Sequence, residues 1–140
     1  MSLFSIFDIS GSALKAQSVR MTTTASNMSN ADVVSSSANT TYRPRYPVFQ
    51  SIQQQANAAM ELEGNAGAQV SAINESTKTP IKRYEPDNPQ ADSNGYIYAP
   101  NINVVEEMTN MISASRSYQM NVEIMNTSKQ LMQKTLQLGQ

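Results

Sequence analysis

Residues 101–138 read NINVVEEMTNMISASRSYQMNVEIMNTSKQLMQKTLQL, and this stretch decides the fold. It carries a stripe whose positions recur at alternating spacings of three and four, which is the repeat of helices that pack along a narrow left-handed seam. Many of the remaining residues are Ser, Thr, Asn or Gln, so the helix has one face to bury. The stripe consists of Val104, Met108, Met111, Ser115, Tyr118, Val122, Met125, Lys129, Met132 and Leu136.

Signals at both ends delimit this helix. Pro100 blocks an earlier start, and Asn103 belongs to the residue types that cap helix N-termini. Glu106 follows three residues later, as a capping-box partner does, and its charge suits the positive end of the helix dipole. Because Gly139 is a natural stop, we predict one long helix within residues 101–140.

A second stripe with the same spacing lies near the N-terminus. It predicts an amphipathic helix from residue 3 to about residue 30, although a glycine and three consecutive threonines within it are poor helix formers. Each terminal helix thus has one seam to bury, which favours a protein that packs against neighbours. The N-terminal stripe consists of Phe4, Phe7, Gly11, Leu14, Ser18, Met21, Ala25 and Met28.

The middle of the chain is predicted to be extended. Residues 31–47 read as a loop because two prolines near its end exclude helix. Alternating side chains at 48–52 and apolar residues within 69–73 predict two strands, and Gly64-Asn65 between them predicts a turn. We therefore predict a loose β-hairpin over residues 45–83.

Residues 84–100 contain three prolines and read as a rigid extended linker with a turn. The predicted fold is therefore mainly α, with long terminal helices that pair as a coiled coil. Its divisions are the N-terminal helix (1–32), the extended middle with its hairpin and linker (33–100), and the C-terminal helix (101–140).

The composition excludes most chemistry. The chain has no Cys and no His, which removes disulfides, thiol nucleophiles and imidazole catalysis. Its net charge of −1 gives no electrostatic footprint for nucleic acid. We therefore predict no enzyme activity, no cofactor, no nucleic acid and no small-molecule substrate.

Two pairs of carboxylates have a spacing that suits a divalent cation, Glu61 with Glu63 and Glu85 with Asp87. No third ligand accompanies either pair, so solvated turn residues are the preferred interpretation and no metal site is predicted. The nine methionines have two interpretations as well. Adaptable filler in a helix seam is preferred over a groove that binds many partners.

Short motifs at both ends resemble a known family. Residues 25–32, ASNMSNAD, with Ser12-Ala13-Leu14 before them, resemble the Asn-Leu-Ala-Asn-Ala signature of flagellar axial proteins, with Met28 and Ser29 as mild departures. Residues 101–108 and 114–121 resemble the C-terminal end of proximal-rod subunits, and residues 84–100 are typical of one branch of them. The chain therefore resembles the flagellar basal-body rod proteins.

This resemblance implies a structural subunit of the proximal rod, the shaft that crosses the periplasm, transmits torque and encloses the export channel. It implies export through the flagellar type III apparatus without a cleaved signal peptide. The implied partners are copies of the chain, other proximal-rod and distal-rod proteins, and the junction protein between rod and membrane ring. The expected assembly interface is Phe4, Phe7, Leu14, Met21, Ala25, Met28, Val104, Met108, Met111, Tyr118, Val122, Met125, Met132 and Leu136.

Two other classes of protein remain open at this stage. A small cytoplasmic adaptor that dimerises through its helices would show the same stripes. A membrane-surface protein would place residues 1–9 in the interface, but Lys15 and Arg20 are the only basic residues of the first helix, too few for strong attraction to anionic lipid.

Overall fold

A computed structural model describes residues 3–53 and 66–138 of the chain. Within these ranges the chain forms one long helix, then two small antiparallel sheets, then a second long helix. This agrees with a mainly α fold that carries a β-hairpin. No helix in the described ranges is long and apolar enough to span a membrane. The elements are α1 (Leu3–Ser29), β1 (Arg45–Gln53), β2 (Ala66–Glu75), β3 (Ile81–Tyr84), β4 (Tyr96–Ala99) and α2 (Val104–Leu138).

The N-cap of α2 is the predicted one. Asn103 Oδ1 accepts hydrogen bonds from the backbone N–H groups of Val105 (3.1 Å) and Glu106 (3.4 Å). These bonds satisfy two of the amides that have no partner within the first turn of a helix. The predicted start of the C-terminal helix is therefore confirmed.

Polar side chains of α1 bond to their own helix. The hydroxyls of Thr22 and Thr23 donate to carbonyl groups one turn earlier, at 3.0 and 3.1 Å, which accommodates β-branched residues in the helix. At the C-terminal end, Asn30 donates to the Ser26 carbonyl through both its backbone N–H (3.2 Å) and its Nδ2 (2.8 Å). α1 ends at Ser29, close to the predicted end.

The two helices pack against each other in antiparallel orientation. Asn27 of α1 contacts Glu107 of α2, and Arg20, seven residues earlier, contacts Asn110, which lies further along α2. The end of α1 therefore lies beside the start of α2. This arrangement brings two segments that are distant in sequence to one end of the helix pair.

β1 and β2 form the predicted hairpin, with Arg45 opposite Glu75 and Gln53 opposite Ala66. The register shifts between Val48 and Phe49, where a bulge interrupts the pairing. Both strands pack on α1. The turn predicted at 64–65 lies outside the described residues.

The predictions for residues 76–100 are wrong in part. The first hairpin ends at Glu75 instead of residue 83, and residues 81–84 pair with 96–99 in a second hairpin where a linker was predicted. Gly95, with φ of 78°, provides the left-handed turn that reverses the chain. Ser35 then exchanges two backbone hydrogen bonds with Tyr98 at 2.9 Å, which attaches the second hairpin to the loop after α1.

The described core is small. Its buried apolar side chains are Ala16, Ile97, Ala99 and Ala114, of which only one is larger than alanine. Sixteen large apolar side chains of the described residues are exposed. The described part of the fold is therefore open, and much of its surface is available to neighbours.

Candidate assembly surface

α1 covers one half of the stripe predicted on α2 and leaves the other half exposed. The half-buried members are Met111, Ser115, Tyr118, Met125 and Met132, of which the four large ones lie seven residues apart. The members that face solvent are Val104, Met108, Val122, Lys129 and Leu136, the last with 68% of its surface exposed.

Four positions of α2 that each lie one residue before a member of the predicted stripe are more buried than that member. Glu107, Ala114 and Ser128 are buried and Asn121 is half-buried, whereas the prediction chose residues 108, 115, 122 and 129. One residue corresponds to about 100° of rotation around a helix. The prediction followed the large apolar residues Met108 and Val122, so its stripe is displaced by one residue from the polar and small positions that are buried.

The stripe on α1 shows a similar difference. Phe7, Leu14, Met21 and Met28 are half-buried, Ala25 is exposed, and the side chain of Phe4 lies outside the described residues. The buried positions of α1 are small or polar: Ser5, Ser10, Ala16, Thr23, Thr24 and Asn27. The helix pair is therefore closed by small and hydrogen-bonding side chains, with larger apolar ones at its edges.

The outer surface of α2, defined here as its exposed large apolar residues, extends around the side that α1 does not cover. Large exposed apolar areas mark sites of interaction with other proteins. The outer surface of α2 consists of Val104, Val105, Met108, Ile112, Met120, Val122, Ile124, Leu131 and Leu136.

Asn27 is fully buried, and its side chain makes four hydrogen bonds. Its Nδ2 donates to the Arg45 carbonyl (2.9 Å) and to Glu107 Oε2 (3.2 Å). Its Oδ1 accepts from the Tyr42 hydroxyl (2.9 Å) and from the Arg45 N–H (2.9 Å). A single amide thus joins α1, the loop before β1, β1 itself and α2, with both donors and both acceptor positions satisfied.

Glu107 is a carboxylate with only 2% of its surface exposed. The nearby guanidinium of Arg45 pairs with Glu75 at 3.0 Å and not with Glu107. The acceptors of Glu107 are instead satisfied by Asn27 and by the hydroxyl of Tyr46, and the N-terminal end of the α2 dipole favours its charge. Burial, together with this charge and hydrogen bond, raises the pKa of Tyr46 to about 12.

The described residues contain no cluster of acidic, His or Cys side chains able to hold a metal. Glu85 is exposed and its Oε2 accepts from Asn88 Nδ2 at 3.2 Å, as a turn residue does, and Asp87 is also exposed. Glu61 and Glu63 lie outside the described ranges. The features that remain are a helix pair, its polar contacts and the outer surface of α2.

Comparison with known proteins accounts for these features. The family described as "Flagella basal body rod protein" matches residues 7–35, and the "Flagellar basal body rod FlgEFG protein C-terminal" family matches residues 93–138. The chain is 49% identical over 140 residues to the flagellar basal-body rod protein FlgC of Salmonella typhimurium and to that of Yersinia enterocolitica, and each alignment covers both chains fully. It is 34% identical to the FlgC of Bacillus subtilis over 149 residues, with 99% of each chain covered.

This chain belongs to the FlgC family of flagellar basal-body rod proteins. It is a structural subunit of the flagellar rod and not an enzyme. It is located in the basal body, serves motility and assembles with other rod components. The interpretation as a cytoplasmic adaptor is not favoured by these relatives.

The two matched regions of this rod protein contain the two partners of its most buried polar contact. Asn27 lies within 7–35, in the motif that the sequence singled out, and Glu107 lies within 93–138. The sequence showed that the Asn-rich motif is a family signature. Only the structure shows that its first Asn binds the start of the C-terminal helix.

Proposed function

We propose that this rod protein polymerises through its terminal helices, and that copies of itself and other proximal-rod and distal-rod proteins pack on the outer surface of α2. The polymer is the drive shaft that transmits torque and encloses the export channel. The observation that carries the proposal is that surface, which bears nine large apolar side chains next to a seam already closed by α1.

The small amount of apolar surface buried in the helix pair also supports a proposal for how the chain is exported. We propose that the chain crosses the inner membrane through the flagellar type III export apparatus, without a cleaved signal peptide, and that its rod spans the periplasm and meets the junction protein of the membrane ring. A helix pair closed by small side chains loses little apolar burial on unfolding. The absence of cysteine also suits an oxidising compartment.

Substitution on the outer surface of α2 tests assembly. The double change Met108→Glu with Val122→Glu places two charges where neighbours would pack, but both side chains face solvent in the single chain. We expect normal expression, loss of swimming and loss of rods in electron micrographs of basal bodies. The matched control, Met108→Leu with Val122→Ile, keeps the surface apolar and should assemble.

Normal swimming of the charged variant would contradict the proposal.

A second test concerns the free chain. We expect a dilute monomer to show little helix by circular dichroism and ends that proteases cleave rapidly, because its helices gain most of their burial from neighbours. A cooperative thermal transition of a protease-resistant monomer would count against this.

A further inference from the structure

The seam between α1 and α2 repeats itself every seven residues. On α2 the covered positions Ala114, Asn121 and Ser128 are all small or polar, and the half-buried Met and Tyr residues beside them have the same spacing. Sliding one helix by seven residues therefore replaces each covered side chain with one of similar character. Packing alone distinguishes such registers poorly, since small residues fill few specific gaps.

The contact of Asn27 with Glu107 is the part of the seam that does not repeat after seven residues. A slide by seven residues in one direction places Ala114 opposite Asn27, and the opposite slide brings Pro100, which precedes the helix. Either change removes one of the two partners of the fully buried Asn27 Nδ2 and leaves the carboxylate of Glu107 without that donor. Leaving buried polar groups without partners costs about 1–3 kcal/mol each, and more for charged groups.

A second contact agrees with the same register. The guanidinium of Arg20 donates to Asn110 Oδ1 at 3.0 Å, three residues further along α2 than Glu107. A slide by seven residues places Ser117 opposite Arg20 instead. The Arg20–Asn110 contact is only partly buried, so its loss costs less than the loss of the Asn27 contact.

We propose that Asn27 and Glu107 act as a register lock that selects one alignment of α1 against α2 among alignments seven residues apart. Asn27 is also bonded to both backbone groups of Arg45, so the lock fixes the base of the first hairpin to the same alignment. The register determines which residues of α2 remain on its outer surface. The role in assembly rests on the proposed function, whereas the register itself does not.

Paired cysteines in the full-length chain test the register, because the chain has no cysteine of its own. Thr24 and Asn110 line the same cavity, so Thr24→Cys with Asn110→Cys reports the observed register. Thr24→Cys with Ser117→Cys reports the slide by seven residues, a displacement of about 10 Å. A short bifunctional thiol reagent is applied to cells, and the intramolecular product is recognised by its altered mobility as a monomer.

In the otherwise unchanged chain we expect the first pair alone to react. Asn27→Leu fills the site with an apolar side chain, and we expect the product of the shifted pair to appear. Glu107→Met, which leaves the bonds of Asn27 to Arg45 and Tyr42, should have the same effect. Glu107→Gln keeps an oxygen that accepts from Asn27 and Tyr46, so it should keep the original register.

Two results in Asn27→Leu and Glu107→Met would overturn the lock: reaction of the first cysteine pair alone, or no reaction of either pair. In both cases the contact would stabilise the helices without selecting their register. Swimming separates this inference from the proposed function. A shifted register with normal swimming supports the lock and contradicts assembly through the outer surface of α2. A loss of swimming with the original register overturns the lock and leaves the proposed function intact.

Discussion

The hydroxyl of Ser12 accepts a hydrogen bond from the backbone N–H of Ala68 at 3.1 Å and donates one to the Ile9 carbonyl at 2.7 Å. It thereby joins α1 to β2 across 56 positions of sequence. Gly67 permits this approach, since a Cβ at that position would lie 3.0 Å from Ser12 Oγ. The hairpin rests on α1 because one element offers a hydroxyl where the other has no side chain.

Substitution of Gly67 by Ala should therefore loosen the first hairpin. The added methyl group would displace the Ser12 hydroxyl and weaken its bond to Ala68, at a cost of about 1–3 kcal/mol. We expect faster amide hydrogen exchange in residues 68–72 of the chain assembled in rods, where α1 is formed. Ser12→Ala removes the atom that the methyl group meets, so the double variant should be less destabilised than the sum of the single ones. Strict additivity would contradict the steric explanation.

Gly95→Ala should open the second hairpin. A φ of 78° costs an L-residue about 1–2 kcal/mol, and the new Cβ would lie 2.9 Å from Tyr84 Cε2. We expect trypsin to cleave after Lys82 and Arg83 about 5- to 30-fold faster, following the larger open population. Ser93→Ala, an exposed position in the same loop, is the control and should leave the rate unchanged. An unchanged rate in Gly95→Ala would show that this turn does not hold the hairpin.

Asp92 should make the same loop sensitive to acid. Its Oδ1 accepts from the backbone N–H groups of Tyr96 (2.9 Å) and Asn94 (2.8 Å), and these bonds lower the pKa of the carboxyl from its ordinary 3.8. The folded loop thus gains stability above about pH 4, and loses it as the pH falls through the lowered pKa. We expect the amide resonances of Asn94 and Tyr96 to shift in that window. They should stay constant in Asp92→Asn, and an equal shift in that variant would exclude Asp92 as the cause.

Tyr46 should ionise at a higher pH than an ordinary tyrosine, whose pKa is 10. Because its pKa is raised to about 12, its hydroxyl adds stability below pH 10, and this stability is lost as the pH rises from 10 to 12 and beyond. Absorbance titration of assembled rods should show a late step that Tyr46→Phe removes. Glu107→Gln should move this step towards lower pH but keep it above 10, since burial remains the larger cause. A step that stays in Tyr46→Phe would assign it to another residue.

Much of the fold could be predicted from local patterns. Asn103 and Pro100 set the start of α2, alternating side chains gave the strands of the first hairpin, and the missing cysteine and histidine excluded common catalytic chemistry. The second hairpin was missed because prolines around residues 84–100 read as a linker. Its turn depends on the Asp92 bonds and on Gly95, whose positive φ a lone glycine in a sequence does not reveal.

The sequence did not identify which face of each helix is buried in the pair. Periodicity by itself determined that both ends are helical and that each carries a narrow stripe suited to one seam. Only the tertiary structure decided which side of each helix faces the other. It buries Asn27 and Glu107, whereas the neighbouring Met28 is half-buried and Met108 is exposed. The physical reason is that a polar side chain is buried only where partner atoms satisfy it, and here the partners of Asn27 come from residues 15 to 80 positions away.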